Sequence, residues 1–139
     1  MMHIHHSCAC TTLRKASRAI TRLYDARLAG HGMTTTQFAV LRNLRGGEMP
    51  LSRLAEQLVM DWTSLYRTLA PIERSGWIEI GGGTGRTKLA RLTDAGRAAM
   101  IAAMPDWEET QRQVIGQLGA EEWHEMTATL DMLAGMGPA

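Results

Sequence analysis

The sequence predicts a mainly α-helical fold that carries one small β-hairpin. Three observations predict it. The apolar residues of the 139-residue chain are dominated by Leu, Ala and Met, a mixture that favours helix over sheet. Apolar positions recur at helical spacing through most of the chain. That spacing breaks once, between Trp77 and Leu92, where two short strand-like runs flank a glycine-rich segment. The length suits one domain with a real core rather than two independent ones.

The first helix spans Thr11 to Leu28, with Leu13, Ala16, Ile20, Leu23 and Tyr24 at helical spacing and Arg14, Arg18 and Arg22 in a stripe elsewhere on its surface. Gly30-His31-Gly32 stops it. Thr34 followed by Gln37 is a capping-box pattern, in which hydroxyl and amide side chain satisfy the first free backbone donors. It opens a helix with Phe38, Leu41 and Leu44 inward that ends at Gly46-Gly47. Pro50 precedes a short helix with Leu51, Leu54, Ala55 and Leu58 inward. Asp61 caps the next one, where Trp62, Leu65, Leu69 and Ile72 form the inward stripe and Thr63, Ser64, Arg67 and Arg74 point away. Pro71 is expected to kink its last turn.

Gly76 ends that helix, and Trp77-Ile78-Glu79-Ile80 and Lys88-Leu89-Ala90-Arg91-Leu92 read as two strands around a tip, Gly81 to Thr87. Two strands cannot make a sheet with its own core, so the hairpin has to lean on the helices or on a partner. Thr93 caps a long helix with Met104, Trp107, Gln111, Val114 and Leu118 at heptad-like spacing and an expected kink at Pro105. After Gly119 a last helix turns Trp123, Met126, Leu130 and Leu133 inward.

Composition narrows the function. No apolar run approaches the roughly 20 residues of a membrane span, and Met1 to Cys10 lacks the basic start and apolar stretch of a secretory signal, so a cytoplasmic protein without membrane contact is expected. The two cysteines are not expected to form a structural disulfide there. Residues 1–92 hold thirteen Lys/Arg and six Asp/Glu, whereas residues 93–139 hold two and eight. A basic front and an acidic end within one chain suit a protein whose front meets a polyanion. A chain with solvated helix faces shows the same split by chance.

The helix pair on either side of residue 60 makes a helix-turn-helix pattern. The second helix has an apolar back to fix it and a polar front of Thr63, Ser64 and Arg67. Short hydroxyl side chains allow close approach to DNA, and Arg can read guanine through two hydrogen bonds. The same front also fits an ordinary solvated helix face. The hairpin adds weight: a glycine-rich tip carrying Arg86, with Lys88 following, can lay a guanidinium in the narrow minor groove. A nucleotide-binding phosphate loop is disfavoured, because the glycines fit no G-x-x-x-x-G-K-[ST] register and a strand, not a helix, follows them. No H-E-x-x-H, G-x-S-x-G or dinucleotide fingerprint occurs, so neither an enzyme nor a cofactor is expected.

From about Cys8 to Met132 the sequence resembles the MarR family of bacterial transcriptional regulators. The resemblance is carried by Leu13-Arg14-Lys15-Ala16-Ser17-Arg18 with Thr21-Arg22-Leu23-Tyr24-Asp25, by Met33 to Leu41, by Leu51-Ser52-Arg53-Leu54-Ala55, by Leu69 to Ile78, and by Leu92-Thr93-Asp94-Ala95-Gly96-Arg97. It implies a winged helix-turn-helix in each subunit of a triangular homodimer: residues 33–92 bind DNA, while residues 1–32 and 93–139 interleave between subunits. It also implies that Thr63, Ser64 and Arg67 face the major groove and that Arg86 enters the minor groove. Thr84 stands where the family usually has the Asp that holds the wing arginine, which puts the orientation of Arg86 in question.

A dimer follows from the terminal helices as well. Their apolar residues have too little partner surface within one small subunit, and a symmetric dimer presents two recognition helices to a pseudo-palindromic double-stranded operator. Packing into a monomeric core is the competing reading. The resemblance further implies repression relieved by a small-molecule effector, often an aromatic acid, whose identity the sequence does not specify. The N-terminal His3, His5, His6, Cys8 and Cys10 offer two other inputs. They include transition-metal ligands but match no standard zinc spacing, so no metal site is assigned. The thiols of Cys8 and Cys10 can respond to oxidants if a neighbouring charge lowers their pKa, although on a helix they would lie about 200° apart and pair poorly with each other. His31 and His124 read as isolated structural histidines. The remaining alternative is a winged-helix module that binds protein rather than DNA.

Overall fold

A computed structural model describes residues 7–84 and 87–137. Among them the element order is α1 (Ala9–Leu28), α2 (Thr35–Asn43), β1 (Met49–Pro50), α3 (Leu51–Leu58), α4 (Trp62–Arg74), β2 (Ile78–Gly81), β3 (Leu89–Leu92), α5 (Asp94–Leu118) and α6 (Ala120–Ala134), with one 3₁₀ turn at Ala29–His31. The fold is the mainly helical one with a small wing that the sequence predicts.

The caps explain where the helices start. Thr34 Oγ1 accepts from the Gln37 amide at 3.2 Å, and Gln37 Oε1 accepts from the Thr34 amide at 3.0 Å, which completes the reciprocal box. Asp61 Oδ1 accepts from the Ser64 amide at 2.7 Å and Thr93 Oγ1 from the Gly96 amide at 3.0 Å. Neither internal proline ends its helix. α4 continues past Pro71 to Arg74, and α5 past Pro105 to Leu118. The carbonyls that lose an amide donor, four residues back, belong to the exposed residues Arg67 and Ile101, where water can reach.

Three features depart from the sequence expectation. The sheet has three strands, not two, in the order β1-β3-β2 with both pairs antiparallel. Met49 pairs with Ala90 and Pro50 with Leu89, so the residue that precedes α3 also closes the wing. A two-residue strand containing Pro has no readable alternation, and Pro is tolerated on this edge. Trp62 does not join the inward stripe of α4; it is 51% exposed, whereas Leu65, Leu69 and Ile72 are buried. The first position of a helix projects past the core when the chain enters from a tight turn. His31 is not isolated: its Nε2 lies 2.7 Å from Asp106 Oδ2, tying the 3₁₀ turn to α5.

The core draws on α2, α3, α4, the sheet and the first half of α5, with Phe38, Leu41, Leu44, Leu54, Leu65, Leu69, Ile72 and Ile78 nearly inaccessible. α1 buries only Tyr24 and Leu28 at its end, and α6 buries no residue fully. Leu13, Ile20 and Leu23 on α1 and Leu130 and Met132 on α6 are exposed in the single chain. Trp123, Met126 and Leu133 are half-buried.

The wing is fastened to α5 at one crowded point. Thr93 Oγ1 donates to the Gly76 carbonyl at 2.6 Å, and the Thr93 amide donates to the Trp77 carbonyl at 3.0 Å. Two residues into α5, a Cβ on Gly96 would lie 2.0 Å from the Trp77 carbonyl oxygen and 2.8 Å from its carbon. Backbone cannot yield there as a flexible side chain can. Gly96→Ala is therefore expected to destabilise by about 1–3 kcal/mol despite the better helix propensity of Ala. Urea unfolding at fixed protein concentration checks this; an unchanged or higher midpoint would show that the two segments are not in contact.

Candidate nucleic-acid interface

α3 and α4 are joined by Val59, Met60 and Asp61. Val59 occupies the left-handed region at φ 53°, and among the described residues it is the one non-glycine with positive φ. Its amide donates to the carbonyls of Ala55 and Glu56, and the Met60 amide donates to Ala55 at 2.9 Å. These bonds satisfy the end of α3 and reverse the chain in three residues. A β-branched residue there costs about 1–2 kcal/mol of backbone strain, which the buried Leu54 and Leu65 on either side hold in place.

The turn sets the front of α4. Thr63 and Arg67 are exposed, one turn apart. Ser64 is half-buried, and its amide donates to the Asp61 cap. The Asp61 carboxyl is held below the usual carboxylate range by the Ser64 amide first, then by the Ser64 hydroxyl, with the Arg67 charge a smaller contribution. The Ser64 backbone thus helps to build the helix end, while the Thr63 and Arg67 side chains stand exposed beside it. Arg74 is exposed at the far end.

The wing stands beside this front. Glu79 and Arg91 face each other across β2 and β3 and form an ion pair. Gly83, at φ 80°, approaches the Thr87 carbonyl so closely that a Cβ would sit 2.2 Å from its oxygen, so the tip requires glycine here. Thr84 is exposed, and its carbonyl accepts from the Thr87 amide at 3.3 Å. Lys88 is exposed at the foot of the hairpin. Arg86 lies outside the described residues.

At the other end of the chain, Cys8 and Cys10 are free and exposed. Cys8 is not helical: it sits at the N-cap of α1 with extended backbone (φ −66°, ψ 124°), so the expected 200° separation of the two thiols does not describe the pair. The Thr11 amide, then the Thr11 hydroxyl and the Cys10 amide, hold the Cys8 thiol below its ordinary pKa, although none makes a well-formed cap bond to the sulfur. His3, His5 and His6 lie outside the described residues. Among the described residues no three His, Cys, Asp or Glu side chains come together as a metal site.

A seam between α2 and α5 holds one group that the sequence reading passed over. The Arg42 guanidinium lies 4.2 Å above the Trp107 ring, which also packs on Phe38 at 5.6 Å between centroids. Its Nε is buried without a hydrogen-bond partner, and burial, then the Arg45 charge, lowers its pKa. Positions i and i+4 on α2 gave no signal, because the partner ring is 65 residues away.

Helix-turn-helix, wing and an uncovered pair of terminal helices define the class: a winged helix-turn-helix protein. No protein-family model and no curated protein matches the sequence, but solved structures do. The chain is 32% identical to the M. tuberculosis transcriptional regulator MosR, solved in complex with DNA, over 92% of this chain and 94% of that one, with a TM-score of 0.85. Two others share the fold at lower identity. A mutant MarR from E. coli complexed with operator DNA is 22% identical over 88% of this chain and 91% of that one, TM-score 0.79. NadR in complex with 4-hydroxyphenylacetate is 21% identical over 99% of each, TM-score 0.78. The chain belongs to the MarR family of transcriptional regulators.

The Asp61 cap carries a pH signature. Its pKa is depressed in the fold, so its contribution is present above the unfolded-state value of about 4 and is lost as pH falls through the lower folded value. Asp61→Ala is expected to melt below the wild type at neutral pH, Asp61→Asn to keep most of the stability, and the Ala difference to shrink in acid. Thermal melts across that range test it; a pH-independent difference would remove the charge from the explanation.

Proposed function

We propose that the chain is a sequence-specific DNA-binding transcriptional regulator, a homodimer that represses until a small ligand releases it from a pseudo-palindromic operator. The observation that carries the reading is the placement of Thr63 and Arg67 on the free front of α4 with Lys88 beside that helix at the foot of the wing. In this reading α4 lies in the major groove and Arg86 enters the adjacent minor groove, as the family likeness implies. MosR and MarR, on the same fold, are solved with DNA.

The uncovered helices support the dimer. Burying Leu13, Ile20 and Leu23 of α1 and Leu130 of α6 takes a second subunit. Exposed Arg14, Arg18 and Arg22 on α1 and exposed Glu121, Glu122 and Glu125 on α6 are of opposite sign, which suits an interface built from residues 1–32 and 93–139. An aromatic acid as effector is the expectation of the family likeness; NadR, on the same fold, is solved with 4-hydroxyphenylacetate. The relatives are regulators rather than enzymes, and no catalytic role is assigned. No helix of the described residues is long and apolar enough to cross a membrane; a cytoplasmic location remains the reading.

Fluorescence anisotropy against DNA from upstream of the chain's own gene, with unrelated duplex as competitor, tests this. Arg86→Ala is expected to weaken binding on most sequences. Arg67→Ala is expected to weaken it with loss of about 1–3 kcal/mol of discrimination at one base position, and each to lower the salt slope by about 1. If neither variant changes affinity or salt dependence, the protein-binding alternative takes over.

A second reading is favoured by Cys8: a thiol switch in which the exposed, acidified thiol at the start of α1 is oxidised and Cys10 or a partner subunit's thiol resolves it. Hydrogen peroxide should then release reduced wild-type protein from DNA and leave Cys8→Ser bound. Equal release of both would exclude the thiol. A metal-responsive version depends on the histidines outside the described residues.

A further inference from the structure

Trp62 and Tyr66 are too large and too exposed for the work their positions require. Leu65, Leu69 and Ile72 anchor α4, yet the two rings, 51% and 48% exposed, stack on each other with centroids 5.9 Å apart and planes 29° apart. They line one wall of a groove. Its other walls are Leu51 and Ser52 at the start of α3 and Thr87 and Lys88 at the foot of the wing. The groove therefore runs between the helix assigned to the major groove and the hairpin assigned to the neighbouring minor groove. In a duplex a single sugar–phosphate strand separates those two grooves, and that strand has to pass between the two elements.

We propose that this groove seats that strand, with Lys88 and Ser52 on a phosphate and the Trp62–Tyr66 pair against the adjoining deoxyribose. The inference rests on the DNA-binding reading above and adds to it a contact that does not read sequence. The chemistry of the walls supports it. α3 begins after Pro50, which supplies no capping side chain, and the Leu51 amide is already used by the Lys88 carbonyl at 3.0 Å. The Ser52 amide and hydroxyl are left at the positive end of the helix, in the groove that Lys88 also lines. Among the described residues no carboxylate lines the groove; Glu56 and Asp61 line the adjacent hollow with Val59 and Met60, and Ser52 and Trp62 form part of the wall of both. Trp62 and Tyr66 lie one turn apart on the flank of α4, off the front that Thr63 and Arg67 occupy, where sugar rather than base edge is within reach.

The ring pair then adds a term in affinity that is neither sequence-dependent nor salt-dependent, whereas Lys88 adds one that is salt-dependent only. Anisotropy titrations at several salt concentrations compare operator with unrelated duplex for the wild type, Trp62→Ala, Tyr66→Ala, Trp62→Phe and Lys88→Ala. The alanine variants at 62 and 66 should each lose about tenfold on both duplexes, the yield of burying one ring flank, with the specificity ratio and salt slope unchanged. Trp62→Phe should keep most of the affinity, and Lys88→Ala should lose affinity on both with a slope lower by about 1. Unfolding curves and sedimentation of each variant establish that fold and oligomeric state are intact. Unchanged affinity in the alanine variants overturns the proposal, as does a loss confined to the operator, which would make the pair base readers. A change in oligomeric state would assign the patch to a second copy of the chain. If the wild type itself binds neither duplex, the DNA-binding reading falls and this inference falls with it.

Discussion

Gly96 has no side chain, and the Trp77 carbonyl occupies the place one would take. That contact fixes where the wing begins relative to the long helix that runs away from it. Thr93 completes the joint by accepting from the Gly96 amide and donating to Gly76, so one residue ends the wing, caps α5 and closes the loop between them. The orientation of β2 and β3 follows, and with it the position of Lys88 beside α4. Close packing of backbone on backbone transmits position with little slack. The presentation of helix and wing on one lobe therefore depends on a residue that belongs to neither exposed front.

Much of this was legible in the sequence because the decisive signals are local. The Thr34–Gln37 box, the Asp61 and Thr93 caps and the apolar stripes of α2, α3 and α4 each lie within a few residues and need no tertiary information. What escaped depends on distant partners. β1 exists because Met49 and Pro50 find Ala90 and Leu89 some forty residues later. His31 meets Asp106 and Arg42 meets Trp107 for the same reason. Trp62 misled for a different one: an indole at an apolar register position was read as core, but the first residue of a helix lies beyond the edge of the layer beneath it. The candidate site was partly legible. Thr63, Arg67 and Lys88 are exposed as expected, Ser64 is half-buried with its amide on the cap, and Ser52, Trp62 and Tyr66 were not among the candidate site residues.

The terminal helices show how an amphipathic pattern can predict a surface without naming what covers it. Most of α1 is solvent-exposed on every side, and only Tyr24 and Leu28 enter the core, with the Tyr24 hydroxyl donating to Gln111 on α5. Asp25 accepts from the Thr35 amide at 2.7 Å, and Arg97 reaches the Arg45 carbonyl. These bonds hold the ends of the helices to the lobe while leaving their lengths uncovered. Charge follows the same division, basic on the early residues and acidic on the last two helices.

Pro50 is at once the last residue of β1 and the N-cap of α3, and the next amide, Leu51, is bonded to Lys88 in the wing. Wing and helix-turn-helix thus share a backbone joint, which couples the start of α3 to β3. Loosening the hairpin would strip the first turn of α3 of its anchor, and protection of the Leu51 amide from solvent exchange would fall together with that of β3. A disturbance of the hairpin is therefore felt at the first turn of α3, although the two are separated by almost forty residues of chain.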